Sequence, residues 1–154
     1  MPYLFRLFVA LSLVSCLFAC KKAPLEYPLA GAPVGKPAET AHIREGSMFL
    51  RGLDDVRLSS LELPNPYADY VYVIKPGHHK LMGMNIQSGH ILVPTDLRCY
   101  RMEAELLPGV SYILAEDKDK EIAVLKREDT GAIVASGEKY EQKDAYTGPC
   151  NWGK

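Results

Sequence analysis

From Met48 onward, polar and apolar side chains alternate with a period of two, and that period predicts β-strands. The clearest stretch is Cys99–Leu107. Tyr100, Met102, Ala104 and Leu106 alternate there with Arg101, Glu103 and Glu105, so one face is dry and one is wet. Val110–Ala115, Ile122–Leu125 and Ala132–Ala135 are short apolar runs, and Tyr70–Ile74 is apolar on both faces. Turn-forming residues separate them at Pro76-Gly77, Pro108-Gly109, Glu116–Lys120 and Asp129-Thr130-Gly131. Val56–Leu63 changes phase at Ser59-Ser60, as a bulge or a short bend would make it. No segment carries a convincing helical stripe. The expectation is an all-β fold, a single antiparallel β-sandwich of about seven short strands.

Two segments before Met48 follow other rules. Leu7–Ala19 is an uncharged run of 13 residues, apolar apart from Ser12 and Ser15, with Arg6 in front of it. That is the length of a signal-peptide core and too short to cross a bilayer as a helix. A buried helix of a small domain would show a polar stripe, which this run lacks. Residues 21–46 contain Pro24, Pro28, Pro33 and Pro37 with Gly31 and Gly35. Proline at that density forbids helix and withholds sheet donors, so residues 20–46 are expected to be a flexible tether, of which ~20 residues at about 3.1 Å each reach about 60 Å. The alternative is that Ala41–Glu45 packs as a leading edge strand. The expected organisation is a leader at 1–19, a lipidated cysteine and tether at 20–46, and a domain at 47–154.

The end of the leader resembles the lipobox of bacterial lipoprotein signal peptides, in which Leu, a small or branched residue and a small residue precede Cys. Leu13-Val14-Ser15-Cys16 matches that pattern in composition, and Leu17-Phe18-Ala19-Cys20 departs from it at Phe18. Run length favours Cys20. Cleavage before Cys16 would leave Leu17-Phe18-Ala19 exposed and an apolar core of only nine residues. The resemblance implies acyl chains on Cys20, or alternatively Cys16, and membrane attachment through them. Lys21 stands where the family's inner-membrane retention signal would place Asp, which implies the outer membrane, facing the periplasm. Strand–Pro-Gly–strand patterns such as Ile74-Lys75-Pro76-Gly77-His78 and Leu107-Pro108-Gly109-Val110-Ser111-Tyr112 also resemble uncharacterised small β-rich lipoproteins of Gram-negative envelopes.

Composition is that of an ordinary globular chain: 154 residues, 47% hydrophobic, 24% charged, net charge −1. Without the leader, 17 Lys and Arg face 19 Asp and Glu, a net charge of −2. Neither a nucleic-acid footprint nor a polybasic membrane patch is present. About 108 residues from Ser47 onward are enough to bury one core without a metal. Cys99 and Cys150 are the cysteines left after export, and an oxidising compartment favours a disulfide between them. Cys99 is in phase with Arg101 and Glu103, so the bridge would strap the tail Glu138–Lys154 across the outside of the sheet.

Candidate chemistry is sparse. His78-His79-x-x-Met82-x-Met84 combines imidazole and thioether, ligands that suit copper, and His42 and His90 could join only through the fold. On a strand His78, Met82 and Met84 share a face that Ile86 continues, which equally suits two core methionines. Asp129-Thr130-Gly131-Ala132 resembles the active-site signature of aspartic proteases. There an apolar strand runs into the aspartate, whereas here Lys126-Arg127-Glu128 precede it, as in an exposed hairpin turn. Tyr140, Tyr146 and Trp152 in the polar tail are candidates for a recognition surface. No catalytic residue and no cofactor is assigned. The expected function is a lipid-anchored, non-enzymatic binding or assembly module of the cell envelope, its partner an envelope protein or a glycan and not nucleic acid. The alternative is a periplasmic copper-binding protein.

Overall fold

The computed structural model describes residues 23–58, 63–65, 68–87, 96–140 and 150. The leader, Cys16, Cys20, Ser59-Ser60, His90, Tyr146 and Trp152 lie outside the described residues. The described residues form ten strands and no helix: β1 Leu25–Pro28, β2 Ala41–Glu45, β3 Phe49–Leu53, β4 Val56–Arg57, β5 Tyr70–Ile74, β6 Gly77–Gln87, β7 Asp96–Leu106, β8 Ser111–Asp117, β9 Ile122–Arg127 and β10 Ile133–Tyr140. The all-β expectation holds. The arrangement differs, because these strands form one curled mixed sheet, a half-barrel, in the order β1-β5-β2-β8-β9-β10-β7-β6-β3-β4.

Two pairings are parallel, β1 with β5 and β2 with β8, and the rest are antiparallel. Parallel neighbours require crossovers, so they bring together segments far apart in sequence, which a local period cannot reveal. Both parallel strands come from the Pro-rich segment. Ala41–Glu45 is an interior strand between β5 and β8, with Ala41 and Ile43 fully buried. Leu25–Pro28 is a true edge, and its proline falls at the last position, where a missing donor matters least. Between these strands Leu29 and Ala32 are buried as well.

Apolar positions of alternate phase fill the concave side. Ile43, Leu50, Tyr72, Ile74, Leu81, Tyr100, Leu106, Tyr112, Leu114 and Leu125 make one contiguous core. The curl is sharpest at β10. Its first half, Ile133–Gly137, pairs with β9, and its second half, Glu138–Tyr140, pairs with β7. Gly137 sits at the changeover, buried against β7. A Cβ there would lie 2.1 Å from the Arg101 carbonyl oxygen. Only glycine admits that approach, so this residue lets one strand serve both halves of the sheet.

One end of the core is closed by two carboxylates, Glu116 buried and Glu45 half-buried. Glu116 has a fully buried side chain that accepts from Asn85 Nδ2 and from the Tyr100 hydroxyl, with Arg98 at 3.5 Å. Its backbone N–H donates to Ser47 Oγ at 2.9 Å. Glu45 accepts from the Leu50 N–H at 2.8 Å and the Tyr72 hydroxyl at 3.1 Å, with Arg51 at 3.8 Å. Burial pushes the Glu45 carboxyl above the usual carboxylate range, against the lowering by the Leu50 N–H, Arg51 and Tyr72. Burial and then the neighbouring carboxylate push both tyrosine hydroxyls well above their ordinary value. The sequence places Glu116 at the start of a turn, whereas β8 runs through it to Asp117.

Candidate functional site

The histidines and methionines of the copper-type motif all lie on β6, and the sheet separates them. His78, Met82 and Met84 point to the outer face, as expected, and His79 to the inner one. Four residues of strand at about 3.3 Å each put His78 about 13 Å from Met82, beyond any shared coordination sphere. His78 pairs with Glu103 at 3.5 Å, both well exposed. His79 is nearly buried, with Nδ1 at 2.6 Å from the Asp54 carboxylate and Nε2 at 2.8 Å from the Lys75 carbonyl. Both ring nitrogens are thus engaged within the fold, one at the Asp54 carboxylate and one at the Lys75 carbonyl. Among the described residues no three His, Cys, Asp or Glu side chains come together as a metal set.

His79 instead holds the β3–β4 turn. Asp54 and Asp55 take φ of 49° and 65°, the left-handed pair that a two-residue hairpin requires. Asp54 Oδ1 also accepts from the Lys80 N–H at 3.0 Å. Partial burial opposes ionisation of Asp54. The Lys80 N–H and His79 outweigh it and hold the carboxyl below its ordinary range.

Met82 and Met84 fill a second, smaller apolar cluster on the outer face. They pack with Cys99 and Cys150, flanked by Leu97 and Tyr140. Cys99 and Cys150 are disulfide-bonded, their Cα atoms 5.6 Å apart and 51 residues apart in sequence. Cys99 has the phase expected of it but is buried, because Leu97 replaces a charge at that end of β7. The tail does not simply cross the outside of the sheet: Glu138–Tyr140 are part of β10, paired with β7. Tyr140 is half-buried, its ring 4.3 Å below the Arg101 guanidinium, so it serves packing and a cation–π contact.

Sequence reasoning missed a groove on the outer face where β2 meets β8. It is lined by Glu26, Pro37, His42, Arg44, Val71, Ser111, Tyr112 and Glu128, with a volume of about 250 Å³. A neighbouring hollow of about 300 Å³ shares Ser111 and Glu128 and adds Gly109, Val110, Arg127 and Asp129. The register explains the convergence. His42 lies beside Ser111 and Arg44 beside Ile113, and parallel neighbours point to the same face. Gly109, at φ 72°, turns the chain into β8, and its N–H donates to the Thr40 carbonyl at 2.9 Å.

Charges of both signs line this seam. Arg44 meets Glu128 at 2.7 Å, and Arg127 holds both Asp129 oxygens, at 3.0 and 2.7 Å. The Arg127 hydrogen bonds hold the Asp129 carboxyl below its usual range, and the Arg127 guanidinium is raised in turn. Asp129-Thr130-Gly131 is an exposed turn with Gly131 at φ 69°, in keeping with a hairpin rather than a catalytic aspartate. His42 is buried to 8% exposure, with Nε2 at 3.4 Å from Thr40 Oγ1. That hydroxyl gives its proton to the Lys36 carbonyl at 3.0 Å, which leaves its oxygen facing the ring nitrogen. The seam therefore offers exchangeable ion pairs and one histidine edge, which suits polar recognition. The sequence held one pointer to it, the His42-x-Arg44 alternation inside a Pro-rich segment. No protein-family model, curated protein or solved structure matches the chain.

Proposed function

We propose that this protein is a lipid-anchored, non-enzymatic binding or assembly module of the bacterial cell envelope, attached through Cys20. The groove of His42, Arg44, Ser111 and Glu128 is its binding surface, and the partner is an envelope protein or a glycan. The observation that carries the reading is the Cys99–Cys150 disulfide, which fits an oxidising compartment. It uses both cysteines beyond the leader and leaves Cys16 and Cys20, the two lipobox candidates, for acylation. Several acyl chains at about 0.8 kcal/mol per buried CH₂ supply a firm anchor. Mixed charge along the groove favours a polar partner over an apolar one.

The test is metabolic labelling with palmitate in a bacterial host. Label is expected in the wild-type product and absent from Cys20→Ser. An unlabelled wild-type product, or full labelling of Cys20→Ser, refutes the assignment.

A further inference from the structure

A second consequence of the anchor lies in the position of β1. From Leu25 onward the chain is already sheet: the Leu25 N–H donates to the Asp69 carbonyl and the Leu29 N–H to the Val73 carbonyl, both at 2.9 Å. Tyr27 seats edge-on against Tyr70 and Tyr72, with ring centres 5.9 and 6.2 Å away. Buried Leu29 and Ala32 pin the chain that follows. Resting on the anchor reading above, we infer that the domain is held directly against the bilayer by its β1/β5 end. Five Cα steps separate Cys20 from Leu25, at most about 17 Å of chain, against about 60 Å for a free tether of ~20 residues. The lipid headgroup layer itself takes up roughly 6 Å of that span.

The register fixes which end is lowered. Leu25 lies beside Tyr70, and β2 runs antiparallel to β5, so Glu45 comes down next to the start of β5. Parallel pairing of Glu45 with Leu114 brings the far end of β8 and the turn at 118–121 to the same side. The opposite end holds Gly109, the start of β8 beside His42, and the Gly131 turn. The seven residues of β8 span about 23 Å between the two ends. Membrane attachment therefore lifts the hollow of Gly109, Arg127 and Asp129 towards the aqueous side, where a partner can reach it. The lowered end has no positive excess, since Glu26, Asp69, Asp117, Asp119 and Glu121 balance Lys21, Lys22, Lys118 and Lys120. The short connection sets the proximity, not attraction to anionic lipid, so salt leaves it unchanged.

The experiment takes the acylated product, purified from membranes, into phosphatidylethanolamine/phosphatidylglycerol nanodiscs doped with a gadolinium-chelate lipid. Amide NMR signals are followed at low and high salt. Loss of the Tyr27, Tyr70 and Glu121 signals is expected, with Gly109 and Gly131 retained, at both salt concentrations. A product whose mass shows no acyl chain overturns the anchor reading and this inference with it. An acylated product with both ends equally attenuated, or an end bias that high salt abolishes, overturns this inference alone. Tyr27→Ala combined with Leu29→Asp unseats the edge strand, and the difference between the ends is expected to disappear. Its persistence in a folded variant overturns the role given to β1.

Discussion

Replacing Gly137 by alanine adds a single methyl group at the point where β10 passes from β9 to β7. That methyl would stand 2.1 Å from the Arg101 carbonyl oxygen, 2.7 Å from its carbonyl carbon and 2.7 Å from Met102 Cβ. All three belong to backbone or to the root of a side chain, so no rotamer change relieves the overlap. β10 has to retreat from β7 by about 1 Å, which disrupts the Glu138–Tyr140 pairing with Cys99–Arg101. Overpacking of a tight site costs about 1–3 kcal/mol, and two or three weakened ladder bonds add about 1 kcal/mol each. The expected loss is about 3–6 kcal/mol, a large share of the stability of a domain this size. Gly83→Ala is the matched control. There the added methyl meets Met48 Cε at 2.6 Å, the far end of a flexible side chain that can swing aside, and the expected cost is about 1 kcal/mol. Urea unfolding followed by tyrosine fluorescence gives both values from the midpoints at an unchanged slope. Equal losses in the two variants, or less than about 1 kcal/mol for Gly137→Ala, would refute the changeover argument.

Other expected outcomes follow from the same geometry. Cys150→Ser opens a loop of 51 residues and is expected to lower stability by up to about 4 kcal/mol in the same titration, whereas no change would show that the bridge constrains nothing. Glu116→Ala leaves Asn85 and the Tyr100 hydroxyl facing an empty site, at a cost of about 3–5 kcal/mol, and a smaller loss than that of Gly83→Ala contradicts the buried network. The Asp54 carboxyl, lowered in the fold, adds stability that is present above the ordinary aspartate range and lost as acid titrates the folded group. Asp54→Asn is therefore destabilised at neutral pH and converges with the wild type at low pH, and an offset independent of pH would exclude the charge-assisted bond. Glu45 is raised, so the sign reverses: the fold favours its protonated form, and that preference is lost as pH rises through the folded value. Glu45→Gln is expected to be at least as stable as the wild type at neutral pH, with its advantage shrinking in acid, and a neutral-pH loss would contradict it.

Strands were legible where one face is wet. β7, from Asp96 to Leu106, follows its alternation almost residue for residue, and β5, β8 and β9 match their apolar runs. β1 was not legible, and Ala41–Glu45 was legible only as an alternative edge strand and not as the interior β2, because both segments are short and carry Pro, His, Arg or Glu. Their place in the sheet depends on parallel partners far along the chain, and composition speaks only of local preference. The phase of Cys99 was readable, but its burial was not, since the apolar patch above it also needs Met82 and Met84 from the next strand. The groove escaped for a related reason: Arg44 and Glu128 are 84 residues apart, and only the β2–β8–β9 order brings them together.

The most direct test of the whole account is the intact mass of the protein purified from the envelope of a producing bacterium, with fragmentation of its N-terminus. The expected product is a chain that starts at Cys20, with diacylglycerol on the thiol and a fatty acid on the amine. A chain that still begins at Met1, or one that starts at Cys20 without lipid, would contradict it.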